Sequence, residues 1–304
     1  MQLIYEGKDV TADVEIKKAD ITDNAGGIAD SVELWFNDPH DLWSQWKPQK
    51  NDTLEINEDG FSSGLMYVDE LKQKRGYYIV KALSIPQEAK TDFTKAWENV
   101  RLLELADEKA VKHGFQLITY GVEDNLYERV DQVHEADFVH LSKRCILEGC
   151  MLKLTSKKVV IYNERYMEAQ LPEKIIYKDQ FDGDYDFTAT STGIYSLCSI
   201  TYGNIKAMYK PANGPVGPEL KINDIYITSQ GEGERFAKNI LRSNNKNETS
   251  GYFTIQKDSG IAAGNMIELP DIGISPGAFF CTQVVHKLAD GKTFIKVRKP
   301  LEEY

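Results

Sequence analysis

The amino-acid sequence predicts a mainly β chain with an α+β insert. Three observations point there. Short apolar runs alternate with polar residues and break at glycine turns through residues 1–85. Helical periodicity then dominates two segments between residues 90 and 150. From Leu171 the strand pattern returns, interrupted by one helical segment at 231–244.

Residues 3–11, LIYEGKDVT, read as a strand, a glycine turn and a second strand. After the Gly26-Gly27 break, Val32, Leu34 and Phe36 alternate with Ser31, Glu33 and Trp35. Residues 54–84 read as strands punctuated by Asp59-Gly60, Gly64 and Gly76. Evenly spaced short strands with turn signals favour a barrel or sandwich.

Pro86 begins a change of character. Over 92–113, Trp97, Val100, Leu103, Ala106 and Ala110 fall on one helical face, with Thr94 as N-cap and Gly114 as terminator. Residues 115–120, FQLITY, form a strand. Residues 126–150 begin with a polar stretch. One amphipathic helix follows over 136–148, carrying Phe138, Leu141, Cys145, Ile146 and Leu147 and closed by Gly149. Two strands then turn at Ser156-Lys157, completing a compact module of about 90–167.

Beyond Leu171, strands are expected in 173–178, 183–190, 196–204, 205–211 and 219–228. The Pro/Gly segment 212–218 is an exposed loop. The 231–244 helix presents Phe236, Ile240 and Leu241, and the polar segment 244–251 is a mobile connection. Four final strands lie in 251–256, 261–270, 277–288 and 293–299, the last two joined at Asp290-Gly291, a hairpin signal.

Hydrophobic residues make up 41% of 304 and include 16 Tyr and 12 Phe, so the chain can bury a core and is not intrinsically disordered. Against 36 Lys and Arg stand 47 Asp and Glu, a net charge of −11 that opposes a dedicated nucleic-acid binder. The basic stretch Lys287, Lys292, Lys296, Arg298 and Lys299 reads as the polar face of a final strand. No apolar run is long enough for a membrane span, and MQLIYEGKDV lacks the pattern of a signal peptide. Cys145, Cys150, Cys198 and Cys281 form no CxxC pair and fit buried thiols of a chain made in a reducing cytoplasm.

Catalytic motifs are absent: no G-x-S-x-G elbow, no P-loop, no G-x-G-x-x-G after a strand, no H-E-x-x-H. Gly231-Glu232-Gly233 is a turn into a helix. Of His40, His113, His134, His140 and His286, His134 and His140 are six apart and share no helical face suited to a metal. Cys145 lies on an apolar stripe, where a thiol is inert rather than a nucleophile paired with a histidine. Asp137 opposes the helix macrodipole from its first turn. Asp182, Asp184 and Asp186 read as a solvated turn. Trp35, Phe36, Trp43 and Trp46 read as a core strand and a short helical turn over 39–46 that packs back on it, rather than a sugar platform. No catalytic, cofactor-binding or metal-ligating residue is assigned, no cofactor is expected, and the chain is expected not to be an enzyme.

The order Tyr127, Arg129-Val130, Gln132, Ala136-Asp137-Phe138, Leu141 and a closing glycine resembles a segment of the baseplate hub proteins of contractile phage tails, the late control protein D-like family. Other segments resemble the same family in the same order: GIADSVELWFNDPHDLW (27–43), QKNDTLEINEDG (49–60), GLMYVDEL (64–71), AWENVRLLELADEKAVKHGFQL (96–117) and the closing stretch 264–299. Asn51-Asp52 stands where the family usually has Gly-Asp, and the chain ends at Tyr304 without a C-terminal extension. No fused peptidoglycan-cleaving or needle domain is therefore expected.

The resemblance implies two β-barrel tube-like domains, 1–88 and 169–304, flanking an α+β middle domain, 89–168, with an inserted helix near 231–244. It implies a structural baseplate hub of a contractile injection system, a phage tail or an R-type bacteriocin. A homotrimeric ring would adapt the six-fold tail tube to the three-fold spike. The implied partners are the spike, tube, baseplate wedge and tape measure proteins, with assembly in the bacterial cytoplasm and residence in the particle. The alternatives are a tail-associated cell-wall hydrolase and a carbohydrate-binding module.

Overall fold

The protein, a computed structural model, is described over residues 1–302. Strands account for 45% and helices for 19%, so sheets carry the architecture. In the first region Ile16–Asn24, Ser31–Asn37, Tyr77–Leu83, Met66–Lys74, Thr53–Glu58 and Gln2–Tyr5 pair antiparallel in that spatial order. Their alternation places Leu3, Ile21, Val32, Leu34, Leu54 and Val80 in one buried cluster.

The last region repeats the device. Thr249–Gln256, Lys292–Arg298 and Gly277–Lys287 are neighbours, and Asp186–Ala189 lies outside Thr249–Gln256. The two regions are one sheet. Gly277–Lys287 pairs antiparallel with Ile16–Asn24 over Gln283↔Asn24 to Lys287↔Asp20, making fourteen strands in all. Its order runs from Asp186–Ala189 to Lys8–Asp9, and no pairing among the described residues joins those two ends.

Among the described residues five α-helices are placed around these strands: α1 (Leu42–Trp46), α2 (Leu102–Lys112), α3 (Asp137–Leu147), α4 (Glu164–Glu168) and α5 (Gln230–Asn245). The sheet of Gln116–Tyr120, Lys158–Asn163 and Cys150–Thr155 supports α2 and α3. A third sheet, Ile205–Tyr209, Leu197–Tyr202 and Glu219–Ile222, carries α5. Gly233 makes that docking possible, because a Cβ there would come 2.5 Å from the Ala207 Cβ.

Expectation and structure differ most over 92–113. Asp92–Arg101 is a strand, α2 starts only at Leu102, and Thr94 accepts a hydrogen bond from the His134 amide instead of capping a helix. The partner strand is Leu126–Ala136, where sequence reading placed a polar stretch before α3. The cause is a kink. Asn99 has a φ of +50°, which reverses the pleat so that Trp97 and Val100, three apart, both face inward. That spacing imitates a helix. The buried stripe of α2 is accordingly Leu102, Leu105, Ala106, Lys109 and Ala110, with Leu103 outside it.

Two smaller differences also come down to local pairing. Only Lys174–Ile175 of 173–178 is a strand, pairing parallel with Met266–Leu269, because the chain turns into a 3-10 helix over Lys178–Gln180. The connection expected at 244–251 shrinks to 246–248, since α5 runs to Asn245 and a strand starts at Thr249. By contrast, α3 and the Ser156-Lys157 turn stand where the sequence put them, and the Asp290-Gly291 hairpin does so with a loop over 288–291 in place of the two-residue turn expected.

Candidate functional site

Lys109 occupies a position in the apolar stripe of α2 where an amphipathic helix carries an aliphatic residue. A buried ammonium requires partners, and the structure supplies them from the strand Leu126–Ala136 and from α3. Its Nζ lies 2.9 Å from Asp137 Oδ1 and donates to Gln132. Asp137 also accepts from Lys112 at 2.7 Å and meets His113 Nε2 at 2.9 Å. Burial works to raise the Asp137 pKa, but hydrogen bonds from Lys112, Lys109, His113 and Gln132 outweigh it and hold the carboxyl well below the usual range. Trp97 roofs the group, with Lys109 Nζ 4.8 Å and the His140 ring 5.8 Å from its ring centre. His140 has both ring nitrogens buried without a hydrogen-bond partner among the described residues. Burial, with help from Lys109, pushes its pKa down to about 4.

Sequence reading assigned Asp137 only to the helix dipole and missed this nest. The signal was Lys109 itself, a charge at a core position of an apolar stripe.

A second buried ionic group ties the last strands to α4 and α5. Arg298 reaches Glu164 at 3.1 Å and Glu168 at 2.6 Å. Arg242 pairs with Glu168, and Lys246 lies 3.0 Å from Glu164. Arg298 therefore belongs to the interior rather than to the polar strand face read from the sequence. Glu148, at the end of α3, accepts from Tyr127 Oη at 2.7 Å and Arg235 Nε at 2.8 Å, joining the strand Leu126–Ala136 to α5.

The structure does not bring the other candidates together. Cys145 is fully buried beside Phe138 and Leu141, and burial raises its thiol well above its ordinary pKa. His134 sits on an exposed bulge with a φ of +46°. His40 is exposed, and His286 is buried against Phe61. Asp182 is bound by Lys292 at 3.0 Å and Gln256 at 2.9 Å, while Asp184 and Asp186 face solvent. No cluster of potential metal ligands occurs among the described residues. Trp43 stacks on Tyr78 at 5.5 Å and meets Phe36 at 4.2 Å, 4% exposed, so it is core. Ser229 caps α5 through the Glu232 amide, so Gly231-Glu232-Gly233 is the helix start.

What the fold leaves open is backbone. Among the described residues, Asp186–Ala189 pairs on one side only. Thr190 donates to the Glu248 carbonyl at 2.9 Å, which sets the ladder so that the amides of Phe187 and Ala189 point away from the sheet. At the opposite end, Lys8–Asp9 is the outermost strand.

No protein-family model and no curated protein sequence matches the chain. Solved structures do. The 43 kDa tail protein of prophage MuSo2 from Shewanella oneidensis superposes with a TM-score of 0.76 at 14% identity, covering 97% of each chain. The fold is that of a phage tail protein. The tail protein of Neisseria meningitidis MC58 gives 0.75 at 12% identity, over 98% of this chain and 95% of that one. An E. coli component of the type VI secretion system, described as similar to the T4 bacteriophage tail proteins gp27 and gp5, gives 0.63 at 10% identity over 100% and 78%. The tail fold thus spans both sheet regions and the helical middle. No helix among its described residues is long and apolar enough to cross a membrane.

Proposed function

We propose that this chain is a structural subunit of a phage-type tail, its baseplate hub, acting mechanically rather than catalytically. The observation that carries the reading is agreement over nearly the whole length with a tail protein fold, at a TM-score of 0.76. The ordered resemblance of segments 27–43, 49–60, 64–71, 96–117, 126–150 and 264–299 to baseplate hubs makes the role specific. Three copies form a ring in which each contributes two tube-like β units, matching a six-fold tube above and a three-fold spike below. Wedge and tape measure proteins complete the contacts, and the particle, phage or bacteriocin, assembles in the bacterial cytoplasm.

The units are 1–88, 89–168 and 169–304, with the lobe of α5 leaning on the middle one through the cluster of Trp97, Tyr127, Leu147, Cys198, Phe236 and Leu241. Free sheet edges supply the joints, because an unpaired row of amides and carbonyls is satisfied by a neighbour's strand.

Ala189→Pro tests the joint. It removes an outward amide while leaving the bonds to Thr249–Gln256 in place. The variant is expected to keep its circular dichroism spectrum and lose the trimer in light scattering. A trimer of unchanged stability would move the ring interface elsewhere.

A further inference from the structure

The chain is acidic overall, yet one cavity is cationic. A pocket of about 200 Å³ between α4, α5 and the end of α3 is lined by Arg165, Arg235, Lys238 and Arg242 against Glu123 and Glu148. The two carboxylates do not balance it. Glu148 is held by Arg235 through Nε at 2.8 Å and Nη2 at 3.2 Å, and also takes the Tyr127 hydroxyl. Arg242 gives one Nη to Glu168 and the other to the Leu301 carbonyl. Its Nε is buried with no partner among the described residues, although the residue is 1% exposed. Arg165 and Lys238 have no ion-pair partner among the described residues. Lys238 stands 5.3 Å over the Tyr209 ring.

Like charges held together repel, here an exposed Arg165, a half-buried Lys238 and a buried Arg242. Burial, then Arg165 and Arg242, lower the Lys238 pKa, and burial with Arg242 lowers that of Arg165. Surface lysines normally spread into solvent. Here Arg165 and Lys238, neither in an ion pair among the described residues, converge beside the buried Arg242 on a cavity of about 200 Å³.

We infer that this pocket is an oxyanion site. Arg165 and Lys238 provide the charge, the Arg242 guanidinium marks its floor, and a carboxylate or a phosphate is the ligand class that fits. Charge-assisted hydrogen bonds to such a group neutralise the repulsion between the exposed Arg165 and the half-buried Lys238. The ligand is either a free or phosphoryl anion or a carboxylate presented by another protein chain. This inference does not depend on the tail role.

The test is titration calorimetry on the full chain at constant ionic strength, held with chloride. Inorganic phosphate and a short peptide with a free C-terminal carboxylate are titrated separately, the amidated peptide serving as control. Saturable binding of at least one is expected, weakened at least about tenfold in Arg165→Ala/Lys238→Ala, as loss of a charge-assisted bond requires. Phosphate alone binding identifies a phosphoryl or free anion. The carboxylate peptide alone binding identifies a partner chain. Binding of neither, or equal binding by the variant, overturns the site. Both side chains lie outside the main core, and Lys238→Gln repeats the test with less change of volume if the double variant folds poorly.

Discussion

Lys109 Nζ and Asp137 Oδ1 lie 2.9 Å apart with their side chains 1% and 4% exposed, so α2 and α3 are joined through a buried ion pair. Breaking such a pair leaves an uncompensated charge in the interior. Asp137→Asn is expected to cost about 3–5 kcal/mol in urea denaturation. The cost of Lys109→Met is smaller if the interior packs around the thioether, and a double-mutant cycle separates the two.

The same nest sets a pH dependence in two windows. His140 is kept neutral by burial and by Lys109, with its pKa pushed down to about 4. A lowered histidine pKa favours folding fully above the unfolded value of about 6.5 and loses that contribution as pH falls toward 4. His286, lowered first by burial, acts in the same direction. Asp137, a depressed carboxylate, acts below that window, its contribution present above about pH 4 and lost as pH falls further. His140→Leu is therefore expected to raise stability near pH 5 and flatten the upper window while leaving the lower one. A urea midpoint measured against pH reads both. An unchanged upper window in the variant would remove His140 from the account.

Asn99 is exposed and holds a φ of +50°. Asn99→Val is expected to cost about 1–2 kcal/mol, and Asn99→Gly to be nearly neutral, because only the backbone conformation is at stake. Thermal unfolding of the two variants decides this, and equal melting temperatures would mean that the strand is not kinked there.

Trp43 lies between Phe36 and Tyr78. Trp43→Ala should cost roughly 3–5 kcal/mol by leaving a cavity. A sugar platform predicts the opposite pattern, a variant of undiminished stability that loses glycan binding.

These residues also mark what could be read in advance. Strand alternation at Val32, Leu34 and Phe36, the α3 stripe and the Asp290-Gly291 turn are local signals, and local structure followed them. The 92–101 strand was not legible, because one left-handed residue converted a period of two into an apparent helical spacing. Pairing of Gly277–Lys287 with Ile16–Asn24 was not legible either, since it joins segments some 260 residues apart and no local pattern encodes the partner. The Lys109 nest lay between these cases. The misplaced charge was visible, but its partners come from a strand that the sequence disguised.

The ring is tested most directly by the solution mass of the purified chain in light scattering, alone and mixed with a candidate spike protein, with negative-stain images of each peak. A species near three times 34.5 kDa with a central hole is expected, formed alone or on the spike. A 34.5 kDa monomer under both conditions would contradict it.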